Sequence, residues 1–403
     1  MNQLLHTPEG VRDIFGQECD KKRYIERRIE KMFRSYGYQS IETPSFEFFD
    51  VFGKEVGTTP SRELYKFFDR EGNTLVLRPD FTPSVARSAS MYFQEENMPL
   101  RLCYHGNVFI NNSRYQGRLK ESTQMGVELI NDDTAAADAE VIALAANALL
   151  RAGVEDFQVS IGEVGFFGSL VEEAGLQEEQ IEELKGLLAI KNIFGAQEMI
   201  RHCNLPKKTS QALYKLPELF GNQDILDTAE TITDNPRARQ SIERLKNILM
   251  ILKSYGVEKY ISFDLSMVSD YRYYTGIILQ AYTYGTGDAV IKGGRYDSLL
   301  EQFGKKASAV GFTAEVDSLL NAIDRQKIML PIRDIKTMVL SPADCWSFAI
   351  SQCRKLREKG VDTALVRCEE SVSVDDYIAY GRRNQFGKVL VIRGEGQTEE
   401  ISL

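Results

Sequence analysis

The spacing of apolar positions changes period several times along this chain, and the changes mark its elements. Across residues 18–36, Tyr24, Ile25, Ile29, Met32 and Phe33 recur at helical spacing among charges, so an amphipathic helix is predicted, ended at Gly37. Residues 38–44 read as a strand stopped at Pro44. Residues 64–68 and 74–78 read as two strands joined by the turn sequence Asp69-Arg-Glu-Gly-Asn73. Arg78-Pro-Asp-Phe-Thr-Pro83 then enters a helix that carries Val85 and Arg87. Residues 102–110 are a strand, and in 117–130 the alternation of Gln124, Gly126 and Glu128 puts the three on one face of a half-buried strand. A glutamate on such a face needs a partner. Residues 138–150 form an Ala/Leu-rich helix, and 157–161 a strand.

From about 166 to 256 the pattern is helical almost throughout, with turns at Leu205-Pro206 and Asp234-Asn-Pro236. Two strand-like runs come next, 261–268 and 277–284, and Gly285-Thr-Gly287 breaks the second. Residues 308–320 read as a strand feeding a helix. After Pro331 strands at 336–340, 362–367 and 388–393 alternate with helices at 344–358 and 375–383, the pattern of a small α/β domain.

Composition narrows the class. With 403 residues, 43% hydrophobic and 27% charged, the chain has the make-up of a globular protein of two or three domains. Its net charge of −9, without a long Lys/Arg block, argues against nucleic acid as the main partner. From Pro331 to Leu403 eleven Lys/Arg balance eleven Asp/Glu, a poor surface for a nucleic-acid backbone. The cysteines at 19, 103, 203, 345, 353 and 368 form no C-x-x-C pair, and His6, His105 and His202 have no metal spacing, so neither a metal nor another cofactor is expected. The first ten residues do not read as a signal peptide and no run of about 18 apolar residues occurs, so a cytoplasmic, non-membrane protein is expected.

The segment Ser269-Asp-Tyr-Arg-Tyr-Tyr-Thr-Gly276 lies between two strand-like runs, and Gly293-Gly-Arg-Tyr-Asp297 begins seventeen residues after Gly276. The two resemble the histidine-specific signatures of histidyl-tRNA synthetase, a class II synthetase. The segments 78–83 and 124–128, the helix–strand–proline unit ending at Pro44, and residues 308–320 fit the same family in order. The resemblance covers Thr7 to about Leu320 and, more weakly, the tail. It implies an α+β fold: a class II aminoacyl-tRNA synthetase-like antiparallel sheet flanked by helices over residues 1–325, with a helical insertion at about 166–256. Residues 331–403 would be a small α/β domain resembling a shortened anticodon-binding domain. The unit ending at Pro44 would build a dimer interface.

The resemblance also implies a histidine pocket. In it Asp80 and Thr82 would hold the α-ammonium, Gln124 the α-carboxylate, and Glu128 and Tyr274 the imidazole. Tyr273 and the backbone of Gly293 and Gly294 would close the site, and Arg118 remains as a nearby cation. A carboxylate at a strand end suits an ammonium. An aspartate there also suits a cap on the next helix, and the residues alone leave both roles open for Asp80. The three arginines that the synthetases aim at ATP phosphates fall here on Ile110, Ser269 and Ser318, and the carboxylate that aids adenine binding falls on Asn112. One arginine on a transferring phosphoryl group can be worth about 10³ or more in rate, so no catalytic residues are assigned and no adenylation is expected.

A synthetase-like core with those losses resembles the regulatory subunit family of ATP phosphoribosyltransferase. That family implies a short-form catalytic partner in a hetero-octamer, a self-dimer, free histidine as effector, and a role in histidine biosynthesis. No tRNA would bind. An active histidine–tRNA ligase, or an amino-acid-sensing paralogue with another partner, are the alternatives. The tail favours the ligase; the lost arginines and the charge oppose it.

Overall fold

The computed structural model describes residues 3–53, 59–112, 119–203, 205–268, 273–332, 336–369 and 371–403. The chain divides into two compact units, one of residues 1–13 and 22–328, the other of residues 14–21 and 329–403. In chain order the strands are β1 (Gln39–Ser40), β2 (Phe46–Phe48), β3 (Lys66–Phe68), β4 (Thr74–Leu77), β5 (Leu100–Phe109), β6 (Glu121–Ile130), β7 (Phe157–Glu163) and β8 (Phe220–Gly221). They continue with β9 (Ile261–Asp264), β10 (Ile277–Thr283), β11 (Ile291–Arg295), β12 (Ala309–Glu315), β13 (Thr337–Ser341), β14 (Thr363–Arg367), β15 (Lys388–Gly394) and β16 (Gln397–Ser402).

In the larger unit a nine-stranded sheet runs in the order β1-β5-β6-β12-β11-β10-β7-β9-β8. Its six central strands, from β5 to β7, pair antiparallel with one another. Among the described residues, parallel pairs appear in this sheet only where β1 joins β5 and β9 joins β7. This is the sheet expected from sequence, with mixed edges. The half-buried reading of β6 is corrected: from Thr123 to Ile130 every residue is buried, because both faces of the sheet are covered there. On one face lies the helix Gly16–Ser35 from Lys22 onward, whose Phe33 meets Phe312 edge-on at 5.8 Å. The helix Ala135–Ala152 covers the same face, capped by Thr134 at its start and by left-handed Gly153 at its end. The other face is closed by the start of the helix Thr82–Tyr92 and by the residues entering β10.

The expected strand at 38–44 shrinks to β1, since beyond Ser40 only the Ile41 amide still bonds to the neighbouring strand, at Cys103. β2, β4 and β3 make a separate three-stranded antiparallel sheet. Six helices lie between Val164 and Tyr255, but the segment is not wholly helical: β8 pairs with β9 and adds the ninth strand. In the smaller unit β14, β13 and β15 are parallel, and β16, which sequence reading missed, returns antiparallel to β15. Val339 and Ile392 pack on Ala349 and Cys353 of the helix Trp346–Glu358. Met338, Leu340, Val389 and Val391 face the other way, against Val374 and Tyr377 of the helix Val374–Arg383. None of the described helices is long and apolar enough to cross a membrane.

Candidate functional site

Register across the central strands decides what shares a face. Glu128 on β6 pairs with Gly311 on β12, Gly311 with Gly294 on β11, and Gly294 with Ile278 on β10. Directly paired residues point the same way, so Glu128 looks along a row with no side chain at its next two positions. A Cβ on Gly311 would lie 1.8 Å from Glu128 Oε2, and one on Gly294 would lie 2.8 Å from the Tyr274 ring. The two glycines therefore leave the room that the Glu128 carboxyl and the Tyr274 ring occupy. Gly293 points to the opposite face, where a Cβ would strike the Gly311 carbonyl at 2.3 Å.

Glu128 is 1% exposed and is met by hydroxyl groups. Thr82 Oγ1 donates to its Oε1 at 2.9 Å, Tyr104 approaches the same oxygen at 3.4 Å, and Tyr296 donates to Oε2. Burial pushes the carboxyl up to about 8; the bonds from Tyr296, Thr82 and Tyr104 oppose that rise and the Asp80 charge adds to it. Burial and the Glu128 charge hold the Tyr104 and Tyr296 phenols well above their ordinary value, so both stay donors. The Tyr104 hydroxyl also bonds Thr313 Oγ1 at 2.7 Å. It passes over Gly126, where a Cβ would lie 2.3 Å from it.

Asp80 accepts the Thr82 amide at 3.1 Å, a bond local to the start of the helix Thr82–Tyr92. Asp80 is half-buried, and this bond is the cap-like one that its place before a helix suggested. Tyr273 is buried, with its ring 4.8 Å from Tyr274 and 5.8 Å from Tyr296. Gln124 donates through Nε2 to Glu315 Oε1 at 2.6 Å, while its Oε1 has no partner among the described residues. Burial pushes Glu315 up to about 7, opposed by Gln124 and Lys292 and reinforced by Asp317 and Asp80.

The structure thus gathers Thr82, Glu128, Gln124, Gly294, Tyr273 and Tyr274, with Asp80 alongside. Gly293 serves the strand contact behind them. Arg118 and Ser269 lie outside the described residues. Sequence reading missed Tyr104, Tyr296, Thr313 and Glu315. Tyr296 sat inside the Gly-Gly-Arg-Tyr-Asp segment, and the demand of a buried glutamate for donors was the signal that could have found it. Arg295 of that segment turns away: it is buried against Asp138, with Nε at 2.8 Å, on the far face of the sheet.

Where the synthetases aim cations at phosphate, this chain has other uses for its residues. The Ile110 amide bonds the Lys120 carbonyl. Asp317 takes Lys22 at 2.8 Å and the Thr123 amide at 2.7 Å, a structural pairing of two helices with β6. Ser318 is half-buried in the first turn of the helix Val316–Gln326. Lys292, the cation that acts on Glu315, pairs with Asp288 at 3.0 Å. A surface cleft of about 430 Å³ is formed by other residues, in the helices between Val164 and Tyr255. Its Arg201 and Lys208 already pair with Glu198 and Asp234.

Comparison with known proteins matches residues 10–319 to the family described as histidyl-tRNA synthetase. A protein of Acetivibrio thermocellus named ATP phosphoribosyltransferase regulatory subunit is 41% identical over 357 residues, 89% of this chain and 85% of that one. A protein of the same name from Ruminiclostridium cellulolyticum is 36% identical over 96% of this chain and 92% of its own. A crystal structure from Bacillus halodurans, described as an ATP phosphoribosyltransferase regulatory subunit/histidyl-tRNA synthetase, superposes with a TM-score of 0.87 at 32% identity. It covers 97% of this chain and 99% of that chain.

Proposed function

The chain belongs to the family of ATP phosphoribosyltransferase regulatory subunits, and from that membership we propose that it switches a catalytic partner by sensing free histidine. The chain itself is a regulatory subunit and not an aminoacylating enzyme. The partner of this reading is a short-form ATP phosphoribosyltransferase subunit, assembled with this chain into a hetero-octamer in the cytoplasm.

One observation carries the histidine reading: a fully buried glutamate faces a row of glycines, ringed by hydroxyl donors, with the Tyr274 ring over Gly294. An imidazole offers the N–H that such a carboxyl accepts. Its entry between Glu128 and Tyr274 would bring the α-ammonium toward Asp80 and Thr82. The absence of arginine at Ile110, Ser269 and Ser318, where the synthetases aim cations at phosphate, supports a site for an amino acid without ATP. The acid-leaning charge of the chain and the neutral balance of its tail support a protein that does not handle tRNA.

Self-association through the region of Pro44 is part of the same reading. Phe46 and Phe48 of β2 and Phe67 of β3 share one face of the small sheet through their pairing with Leu77 and Leu75 of β4. Phe46 and Phe48 are 53% and 56% exposed, an apolar patch of the kind that marks an interface.

Calorimetric titration of histidine into the chain and its Glu128→Ala variant tests the pocket. Removing one partner so that a buried polar group is left unsatisfied costs about 1–3 kcal/mol, so the variant should bind about tenfold more weakly. Equal affinity in the two proteins would put the histidine site elsewhere.

A further inference from the structure

The histidine-pocket reading leaves one buried group unexplained, the Gln124 amide oxygen. Gln124 is 7% exposed, and its Oε1 has no hydrogen-bond partner among the described residues. Leaving such an acceptor unmade costs about 1–3 kcal/mol, a cost that a ligand donor would remove. The other end of the amide is fixed. Nε2 donates to Glu315 Oε1 at 2.6 Å, from the residue directly opposite on β12. Above about pH 7, where Glu315 is ionised, its carboxylate can only accept, so it selects the amide orientation with NH₂ toward Glu315 and the oxygen left for a donor from elsewhere. Gln124 lies on the same strand face as Glu128, and the charge of Asp80 acts on both Glu128 and Glu315. The orphan oxygen therefore belongs to a space that already favours positive charge and repels a carboxylate.

We propose that Glu315 is a positioning residue: it locks the Gln124 amide as an acceptor for the α-ammonium of the bound amino acid. This rests on the reading of the site as a histidine pocket. It also gives the amide to the opposite end of histidine from the one implied by the synthetase resemblance. A neutral amide at position 315 could pair with Gln124 in either orientation, so the selection would be lost while the packing stayed nearly the same.

The test is a double-mutant cycle on the full chain, read by calorimetry. Histidine and its desamino analogue, 3-(imidazol-4-yl)propionate, are titrated into the parent chain, Glu315→Gln, Gln124→Met and the double variant. Each single variant should weaken histidine about tenfold, and the double should be no weaker than Gln124→Met alone, because Glu315 acts through Gln124. The desamino analogue should bind all four proteins alike. Glu315→Asp keeps the charge but withdraws the carboxylate from the amide, so it should show the Glu315→Gln loss; parent-like affinity in both Glu315 variants would overturn the proposal. So would additive losses in the double variant, or an equal loss for the analogue, which a merely structural role would give. A parent chain that binds no histidine would take down the pocket reading together with this inference. Binding by the parent with additive losses would remove the inference alone.

Discussion

Hydroxyl groups hold the buried Glu128 carboxyl, and burial raises its hold on a proton. In the unfolded chain it titrates in the ordinary carboxylate range, near 4.5, and in the fold it is pushed up to about 8. Between those values the folded chain keeps a proton that the unfolded chain has released. The stability this group contributes is therefore complete on the acid side, falls as pH rises across that interval, and is gone above about 8. Glu315, pushed up to about 7, contributes with the same sign. Glu128→Gln has no proton to lose, so its melting temperature should gain on that of the parent by at least about 2 °C as pH is raised from about 5 to about 8.5. Parallel melting curves against pH would show that Glu128 is not protonated in the fold. At this scale the sequence named Glu128 and demanded a partner, but could not name Tyr296 or Tyr104. Those partners come from strands far apart in the chain, and only the sheet order brings them to one carboxyl.

The elements make the site by register more than by side-chain choice. A shift of β12 by one residue would replace Gly311 with Val310 or Phe312, which now face the other way, and a shift of β11 in one direction would replace Gly294 with Arg295. Gly294→Ala tests this: its Cβ would meet the Ile277 carbonyl at 2.5 Å and the Tyr274 ring at 2.8 Å. Histidine binding should be lost and the melting temperature lowered; parent-like affinity by calorimetry would mean that Tyr274 does not close the pocket. The elements themselves were largely legible, because β-branched and aromatic runs marked the strands and helical spacing marked Ile25, Ile29, Met32 and Phe33. Two features were hidden. The full burial of β6 depends on what covers each face, and β8 is two residues long within a helical pattern. The small sheet leads to the second test. Phe46→Asp with Phe48→Asp puts charges on its exposed apolar face, and light scattering should show the proposed dimer in the parent and a monomer in the variant. A dimer that survives both changes would place the interface elsewhere.

At the scale of the whole molecule, the order of segments from Thr7 to Leu320 was enough to identify the synthetase lineage, while the lost arginines at Ile110, Ser269 and Ser318 separated the regulatory branch from the catalytic one. No single segment could do this, since each also reads as an ordinary strand or cap. Regulation needs a difference in free energy between two states of an assembly, and that difference must be reciprocal: if histidine alters how this chain holds its partner, the partner must alter the affinity for histidine. Reconstitution measures it most directly. The short-form catalytic subunit is assayed for ATP phosphoribosyltransferase activity alone, with the parent chain, and with Glu128→Ala, each across a histidine titration. The expected result is a partner that is weak alone and active with either chain, with histidine inhibition displaced about tenfold to higher concentration by Glu128→Ala. A partner fully active and histidine-sensitive on its own, unchanged by either chain, would contradict the account.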